Sequence, residues 1–530
     1  MVQLSGKSLI GLARGSNHGS AFRGINPATG EQLAPAYFVA SEHEVDRSVV
    51  LAAKAFEVYR NTPAAVKAAF LRSIAINIEE LNGTLVKRAV EETALPAARI
   101  SGEIVRTCSQ LRLFADMVEE GSWVDARIDR ADPTRKPLPR PDVRSMYRPL
   151  GPVAVFCASN FPLAFSVAGG DTASALAAGN TVVVKAHHSH PGTAELVGLA
   201  VSAAVTRFDL PEGIFSLLFG PGNQVGAQLL SHPSIKAAGF TGSRSGGQAL
   251  MKVAASRAEP IPFHAEMSSV NPVVIFPGAL REREDNIVSG LYASVTLGAG
   301  QFCTNPGLIF IPSGADGFIS KLTEKMMNTP GFTMLNSQIS RAYRQGLSKL
   351  SNQPAIKLFS LTGQNDSNGC ECTAAFAVTD SKSFLSNPIL SKEIFGPATL
   401  LVTYSDIGEL SEVAQSLEGQ LTATVHATEV EVENHRDLLT LLETRASRLI
   451  LNGFPTGVEV CHSMVHGGPS PATSDGRFTS VGTRAVLRFV RPICYQDWPN
   501  PALPDELKNE NPLAIWRLVD GELTREPLNN

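Results

Sequence analysis

The chain has 530 residues, of which 43% are hydrophobic and 18% are charged. A chain of this length buries more than one hydrophobic core, so we expect two or three connected domains. The 46 basic and 50 acidic residues are mixed along the sequence and give a net charge of -4. Because no large basic surface is available to follow a phosphate backbone, we expect no nucleic-acid partner.

The cysteines and the apolar segments predict a cytoplasmic protein that does not enter a membrane. The seven cysteines form an odd number and are scattered without a disulfide rhythm, which is typical of a reducing compartment. The apolar patch 9–12 is shorter than the core of a signal peptide. The longest apolar stretch, 162–184, is interrupted by glycine, aspartate and asparagine, so it cannot span a bilayer as one helix.

The amino-terminal part of the chain is predicted to be mainly helical. Apolar residues recur at helical spacing through 41–120, for example at Val49, Ala52 and Phe56. The segment 125–147 is rich in Arg, Pro and Asp and lacks such a period. It is therefore either an exposed linker or an arm that packs elsewhere, and both alternatives stay open at this point.

From Gly151 onwards the pattern changes to alternating strands and helices. The predicted strands are 153–157, 181–184, 214–219, 237–240 and 273–276, with a helix predicted at 161–178 and another from about Gly192. This alternation predicts an α/β fold with a parallel sheet, whose ligands bind at the carboxyl ends of the strands. A second alternating region covers about 295–451, and the proline-containing last 30 residues are predicted to be a poorly regular tail.

Cys303 lies in the segment Gly-Gln-Phe-Cys-Thr, which follows a helical pattern at 291–299 and opens a turn-prone cluster. A lone cysteine is more often an inert core residue than a nucleophile. A nucleophilic thiol needs a cleft and a stabilised thiolate, and one segment cannot indicate either.

Three other segments contain polar residues where the pattern predicts strand ends or turns. Glu266 lies between two strand-like runs, where a charge is costly unless it has a partner or a chemical role, so a salt-bridged glutamate is the alternative. Asn160 lies where a strand meets a helix, and its alternative role is a helix N-cap. Glu393 stands two residues before Phe395 and a Gly-Pro turn, and its alternative is an ordinary loop.

Together these four segments resemble the aldehyde dehydrogenase superfamily. The run Ile-Asn-Pro-Ala-Thr-Gly-Glu at 25–31, the strand that ends at Lys185 and the turn Phe-Thr-Gly-Ser that ends at Ser243 add to the resemblance, which covers about 20–500. It implies a Rossmann-type parallel-sheet domain for NAD(P) at 1–124 and 149–266 and an α/β catalytic domain at 267–483. It also implies a β oligomerisation arm at 125–148 and 484–497, followed by a tail at 498–530. Exposed strand edges invite pairing with another subunit, so we expect a homodimer or a homotetramer.

The resemblance also implies catalytic roles. Cys303 would attack the aldehyde carbon, and the side-chain amide of Asn160 and the N–H of Cys303 would bind the resulting oxyanion. Glu266 would be the base that holds water for hydrolysis of the thioester, which favours a carboxylic acid as product.

The cofactor site is implied without a Gly-x-Gly-x-x-Gly motif, because none follows a strand here. Ser243 would open a helix at the pyrophosphate, and Lys185 would lie at the adenosine ribose. Glu393 would bind the nicotinamide ribose with Phe395 beside that ring. His188 stands where NAD-specific relatives often carry a glutamate, so we expect NADP as well as NAD to be accepted.

The substrate is predicted from two further segments. The runs 158–172 and 464–475 resemble the α-ketoglutarate semialdehyde (2,5-dioxopentanoate) dehydrogenases most, although NADP-dependent fatty aldehyde dehydrogenases share much of them. We expect Arg106 to bind the carboxylate of such a substrate, in a pocket that includes Phe165. The alternative is a surface arginine that pairs with Glu103 or another acid.

Two other functions stay open. One is a broad-range fatty or aromatic aldehyde dehydrogenase, and the other is a catalytically inactive structural or binding protein of the same fold. His187, His188 and His190, and more weakly Cys370 with Cys372, hint at a metal site. We expect none, because the implied mechanism does not use a metal.

Overall fold

The computed structural model describes residues 3–360 and 369–528. Elements before residue 151 are Leu9–Ile10 (β1), Ala13–Arg14 (β2), Ala21–Ile25 (β3), Gln32–Phe38 (β4), Glu42–Tyr59 (α1), Ala64–Glu80 (α2), Asn82–Thr93 (α3), Ala97–Glu120 (α4), Arg127–Asp129 (β5) and Val143–Pro149 (β6). Elements from 151 to 270 are Val153–Phe156 (β7), Gly170–Ala178 (α5), Val182–Lys185 (β8), Pro191–Arg207 (α6), Phe215–Leu218 (β9), Gln224–Ser231 (α7), Ala237–Thr241 (β10), Arg244–Ala255 (α8) and Phe263–Glu266 (β11).

Elements from 271 to 451 are Val273–Ile275 (β12), Pro277–Thr296 (α9), Leu308–Pro312 (β13), Asp316–Met327 (α10), Phe332–Thr333 (β14), Ser337–Ser351 (α11), Lys357–Ser360 (β15), Glu371–Cys372 (β16), Ala375–Asp380 (β17), Ser381–Ser386 (α12), Ala398–Tyr404 (β18), Ile407–Ser416 (α13), Gln420–His426 (β19), Glu429–Asn434 (α14), Arg436–Glu443 (α15) and Ala446–Leu451 (β20). The last strands are Val490–Gln496 (β21), Arg517–Val519 (β22) and Glu522–Thr524 (β23).

The first sheet has the strand order β11-β10-β7-β8-β9-β1-β2, in which the five strands from β11 to β9 run parallel. Chain order therefore reverses between β7 and β10, which is the topological switch point where doubly wound sheets bind ligands. Alternate residues of β7 enter different cores: Val153 and Val155 pack with α2, α4, α5 and α6, whereas Ala154 and Phe156 pack with α1, α7 and α8. The predicted parallel sheet with helices on both faces is confirmed.

The second sheet has the order β15-β17-β18-β13-β12-β19-β20, and its strands are parallel except β15 at one edge. Its two faces are covered by separate apolar clusters, one around Phe310 and one around Phe318. The helix pattern predicted before Cys303 is α9, and the alternation predicted for 295–451 is confirmed.

A third sheet joins segments that are far apart in the sequence, in the order β21-β6-β5-β22-β23. The segment 125–147 is thus an arm that packs against the carboxyl-terminal part of the chain rather than an exposed linker. The tail has little regular structure, as predicted, but it is packed into the fold, because its two short strands β22 and β23 belong to this sheet. Leu507, Ile515 and Val519 are buried in its core, and the fully buried guanidinium of Arg517 donates to the carbonyls of Lys508, Asn509 and Glu526.

The helix predicted at 161–178 begins only at Gly170, and residues 161–169 form turns. The backbone N–H groups of Leu163 and Ala164 donate to Oε1 of buried Glu103 at 2.9 Å, which stabilises the turns from outside the segment. Among the residues in the structure, no helix has the length and apolar character needed to cross a membrane.

Candidate active site

Cys303 lies in a tight loop between α9 and β13. The preceding residues Gly298, Ala299 and Gly300 all have left-handed backbones, with φ of 57°, 57° and 65°. A β-carbon at Gly300 would overlap the carbonyl of Gly396, so a glycine is required there. The side chain of Asn271 donates to the carbonyl oxygens of Cys303 and Asn305, both at 2.9 Å, and these two hydrogen bonds hold the loop in place.

Glu266 is buried at the end of β11 and is held by two side chains from one distant segment. Its Oε1 lies 2.8 Å from Nε2 of His466, and its Oε2 accepts a hydrogen bond of 2.7 Å from the hydroxyl of Ser480. Burial alone would raise the pKa of Glu266, but the charge and hydrogen bond of His466, with the hydrogen bond of Ser480, outweigh it and lower the pKa. Glu266 is therefore a carboxylate at neutral pH.

His466 also lies beside the sulfur of Cys303, with 3.5 Å between Nε2 and Sγ. Burial and the neighbouring carboxylate of Glu266 both raise the pKa of Cys303 well above that of a free thiol. The resting side chain is therefore a thiol in contact with groups that can accept its proton.

Asn160 follows β7 at the switch point and reaches the same loop. Its Nδ2 donates to the carbonyl oxygen of Gln301 at 2.9 Å, which orients the amide beside the Cys303 loop. One N–H of the amide remains for an oxyanion, because a primary amide has two. Its side chain makes no helix-capping contact, since α5 begins ten positions later with Gly169 as its N-cap.

A cavity of about 640 Å³ leads to Cys303 and is lined by aromatic rings and three arginines. Arg106 on α4 lies over the ring of Phe165 at 5.1 Å, and its Nε donates to the carbonyl of Val458. Both of its terminal nitrogens are buried, and neither has a protein partner among the residues that the structure describes. Burial lowers the pKa of Arg106, because little solvent surrounds its charged guanidinium.

In the structure, Arg106 does not form the alternative ion pair with Glu103. Glu103 pairs with Arg99 at 2.6 Å instead, while its other oxygen accepts the N–H groups of Leu163 and Ala164. The third arginine of the cavity, Arg448, donates to the carbonyls of Gly457 and Pro455 at 3.0 and 2.6 Å. Arg106 is thus the arginine of this cavity whose terminal nitrogens are left for a ligand.

Of the residues predicted to bind the cofactor, Lys185 and Ser243 lie at or just after the carboxyl ends of β8 and β10, near the switch point. Lys185 ends β8 next to β7, and burial lowers its pKa. Ser243 is the N-cap of α8, and its Oγ accepts from the N–H of Gly246 at 3.2 Å. Arg244, the next residue, forms an ion pair of 2.7 Å with Glu418, which ties the start of α8 to the second α/β unit.

Glu393 and Phe395 line a second cavity, of about 700 Å³, together with Phe302 and Val270 of the Cys303 region. Burial raises the pKa of Glu393 to about 7, and hydrogen bonds from Ser268 and Ser269 limit the rise. The carboxyl group is therefore close to half ionised at neutral pH, so its environment does not match that of an ordinary exposed loop residue.

The histidines after Lys185 form a stack. The rings of His187 and His188 are 4.5 Å apart, and those of His187 and His190 are 5.4 Å apart. Burial and the charge of Lys185 lower the pKa of His188 to about 4, so its imidazole is neutral near pH 7. Within the described ranges, the group whose atoms are close enough to hold a metal is Glu266, Cys303 and His466, rather than this stack.

Sequence reasoning missed His466 and Ser480 as members of the site. Both lie in the segment 464–481, which reaches Glu266 through an isolated bridge between Thr473 and Glu266. The signal was the pair of glycines after His466: a β-carbon at Gly467 or Gly468 would overlap a neighbouring carbonyl, as expected where a chain is packed tightly against a site.

Comparisons with known proteins agree with this geometry. The family described as "Aldehyde dehydrogenase family" matches residues 14–468. The chain is 50% identical over 524 residues to alpha-ketoglutaric semialdehyde dehydrogenase 2 of Azospirillum brasilense, covering 98% of this chain and all of the relative. It is 46% identical over 528 residues to alpha-ketoglutaric semialdehyde dehydrogenase of Acinetobacter baylyi, covering 99% and 100%.

Solved structures show the same fold at much lower identity. A 3,6-anhydro-L-galactose dehydrogenase has a TM-score of 0.79 at 20% identity, covering 92% of this chain and 99% of that one. A betaine aldehyde dehydrogenase from Staphylococcus aureus, solved with NAD+, has a TM-score of 0.79 at 18% identity, covering 94% and 96%. With the family match over most of its length and two full-length relatives near half identity, the chain belongs to the aldehyde dehydrogenase family.

Proposed function

We propose that this enzyme oxidises α-ketoglutarate semialdehyde to α-ketoglutarate with NAD or NADP as acceptor, through a thiohemiacetal and a thioester on Cys303. The observation that carries the substrate is the pair of buried terminal nitrogens of Arg106, which no described residue contacts by a hydrogen bond, on the arginine that lines the cavity leading to Cys303. Buried terminal nitrogens of a guanidinium that have no protein partner among the described residues match a ligand carboxylate. The names of the two full-length relatives support the same substrate.

In the first step, Cys303 Sγ forms a bond to the aldehyde carbon and its proton is released to solvent, so that Glu266 is a carboxylate when hydrolysis begins. The former carbonyl oxygen then carries the negative charge. The free N–H of the Asn160 amide and the backbone N–H of Cys303 are the donors for this oxyanion, and the hydrogen bond from Asn160 to Gln301 holds the amide in place. Bound NAD(P) supplies the acceptor for the hydride that leaves this carbon.

The second step releases the acid. Glu266 accepts a proton from water, the oxygen of that water bonds to the thioester carbon, and the C–S bond breaks to regenerate the thiol of Cys303. The lowered pKa of Glu266 keeps it ionised for this role. His466 and Ser480 act as positioning residues, because each binds one carboxylate oxygen of Glu266.

The described residues fit a dinucleotide. The N-terminus of α8 at Ser243 offers N–H groups to a pyrophosphate, and Lys185 offers a charge near the adenosine end. Glu393 and Phe395 line the second cavity, of about 700 Å³, which Phe302 of the Cys303 loop also lines. A neutral His188 would neither repel a 2′-phosphate nor bind a 2′-hydroxyl as a carboxylate does, which favours acceptance of both cofactors.

We also propose a cofactor domain of residues 1–124 and 149–266, a catalytic domain of 267–483 and an arm of 125–148 and 484–497. We propose further that the protein is a homodimer or homotetramer in the cytoplasm. Strand β20 ends the second sheet with Leu449 and Leu451 exposed, and β21 ends the arm sheet. Such edges suit pairing between subunits. The odd number of cysteines suits a reducing compartment.

A broad-range fatty or aromatic aldehyde dehydrogenase is the second candidate, because Phe161, Phe165, Phe302 and Phe454 also line the cavity. An inactive structural protein of this fold is the third, and the assembled Cys303, Glu266 and Asn160 count against it.

The deciding experiment follows absorbance at 340 nm with the semialdehyde, hexanal and benzaldehyde. We expect the highest kcat/KM for the semialdehyde. Preference for hexanal would establish the second candidate, and no turnover of any aldehyde would establish the third.

A further inference from the structure

Three side chains of the site form a set that resembles a zinc centre. A carboxylate oxygen of Glu266, Sγ of Cys303 and Nε2 of His466 all lie within 4.8 Å of one another. They come from three separate segments of the chain: the end of β11, the loop before β13 and the loop that contains Gly467. Cysteine, histidine and carboxylate are the ligands that Zn²⁺ prefers in proteins.

The distances are close to those that a tetrahedral ion needs. Bonds of about 2.3 Å to sulfur and about 2.0 Å to nitrogen at tetrahedral angles place the two ligand atoms about 3.5 Å apart. The Sγ–Nε2 distance in the structure is 3.5 Å. The Nε2–Oε1 distance of 2.8 Å is a hydrogen bond, and Oε1 would have to move outwards by about 0.5 Å to become a ligand.

We propose that Glu266, Cys303 and His466 bind Zn²⁺, and that the bound ion inhibits the enzyme reversibly. Binding replaces the thiol proton of Cys303 by an S–Zn bond and the Nε2 proton of His466 by an N–Zn bond, which leaves the imidazole neutral with its proton on Nδ1. The displaced protons are released to solvent, and no electron is transferred. A thiolate and a carboxylate together carry two negative charges, which a divalent ion neutralises. The inference adds an inhibitory ligand and leaves the metal-free mechanism of the oxidation unchanged.

Contacts around the set support the site. Ser480 donates to Oε2 of Glu266 at 2.7 Å and leaves Oε1 for the ion, an outer contact of the kind that orients metal ligands. Behind His466 lies a cavity of about 20 Å³, also lined by His264 and Thr479. It has room for one water, and Nδ1 of His466 is buried without a partner in the described part of the chain.

The other side of the set is open. Cys303 lines the cavity of about 640 Å³, so an ion has a path inwards and a fourth position for water. Arg106 opposes entry of a cation, because its charge has no ion-pair partner within residues 3–360 and 369–528, whereas the charge of Arg99 is balanced by Glu103. Zn²⁺ should therefore compete with the aldehyde for the same space and bind less tightly than in a closed structural site.

The test measures Zn²⁺ binding to the full chain by competition with a chromophoric chelator, without aldehyde or cofactor. We expect one ion per chain and an affinity at least about tenfold weaker in both Cys303→Ser and His466→Phe. The matched control is His188→Gln in the histidine stack after Lys185, which should bind Zn²⁺ as the wild type does. Unchanged affinity in the two site variants, or a loss in the control alone, would overturn the proposal.

A second measurement uses the wild type, so it does not depend on the folding of any variant. Iodoacetamide alkylation of Cys303, followed by peptide mass spectrometry, should slow at least about tenfold when Zn²⁺ is present and recover on addition of EDTA. An unchanged rate of alkylation would also overturn the proposal. Because neither measurement uses an aldehyde, a failure here is distinguishable from a failure of the proposed substrate.

Discussion

His466 Nε2 lies 2.8 Å from Glu266 Oε1, at the end of a strand where the carboxylate is buried. This contact explains how a buried glutamate stays ionised, because the charge and hydrogen bond of the imidazole offset the loss of solvent. The same imidazole nitrogen lies 3.5 Å from the sulfur of Cys303. One histidine thus adjoins both groups that the proposed mechanism needs.

Replacement of His466 should change the pH dependence of turnover. His466 lowers the pKa of Glu266, so His466→Phe should raise that pKa. The carboxylate of Glu266 would then become protonated at a higher pH than in the wild type. The acidic limb of the kcat profile should move to higher pH, and kcat near pH 7 should fall about tenfold or more. His232→Gln, outside the site, is the control. A reduced kcat with an unmoved acidic limb would mean that His466 only supports the fold.

Removal of the arginine that faces the cavity should affect charged and uncharged substrates differently. A guanidinium that binds a carboxylate contributes about 1.5 to 3 kcal/mol. Arg106→Ala should therefore raise KM for the semialdehyde by about tenfold or more, with hexanal nearly unaffected. Arg112→Ala is the matched control, because Arg112 lies on the same helix and pairs with Glu79 at the surface. Equal losses on both aldehydes would contradict a role in carboxylate binding.

Cofactor choice should respond to the residue at 188. The wild type should accept NADP, and a preference for NAD of about a hundredfold, or about 2.7 kcal/mol, would refute this. His188→Glu should lower kcat/KM for NADP relative to NAD, because a carboxylate repels the 2′-phosphate and binds the 2′-hydroxyl. The measurement is the ratio of kcat/KM for the two cofactors, and an unchanged ratio in the variant would place the adenosine site elsewhere.

Cofactor affinity should depend on pH through Glu393. Burial raises its pKa to about 7, so the carboxyl group loses its proton as pH rises through neutrality. Since the carboxylate accepts from ribose hydroxyls better than the acid does, Kd for NAD(P) should fall between about pH 6 and about pH 8. Glu393→Gln should bind more weakly at pH 8 and lose this dependence, as measured by nucleotide fluorescence. The same slope in the variant would assign the titration to another group.

The sequence predicted most of what depends on local patterns and on motifs. The alternation of apolar runs predicted the first sheet, and the motifs around Cys303, Glu266 and Asn160 lie together in the structure. The residues it missed act through long-range contacts. His466 is 200 positions from its partner Glu266, and the turns at 161–169 depend on Glu103, about 60 positions earlier. Neither relationship leaves a period in the sequence.

The described part of the carboxyl-terminal tail, residues 498–528, also owes its structure to contacts with a distant part of the chain. Prolines and polar residues hide the few apolar positions, Leu507, Ile515 and Val519, that pack into the arm core. Strands β22 and β23 are three residues each, too short for alternation to be visible. They form because β5 offers an edge, and the sequence of the tail alone does not indicate that edge.

The most direct test of the proposed two-step chemistry is the time course of reduced cofactor formation when Glu266→Gln is mixed with the semialdehyde and NAD(P). Acylation of Cys303 does not need water, whereas deacylation needs the base. We predict a rapid burst of about one reduced cofactor per chain followed by a stall at the thioester, while Cys303→Ala binds the cofactor and gives no burst. Steady turnover of Glu266→Gln at the wild-type rate, or a burst from Cys303→Ala, would contradict the mechanism.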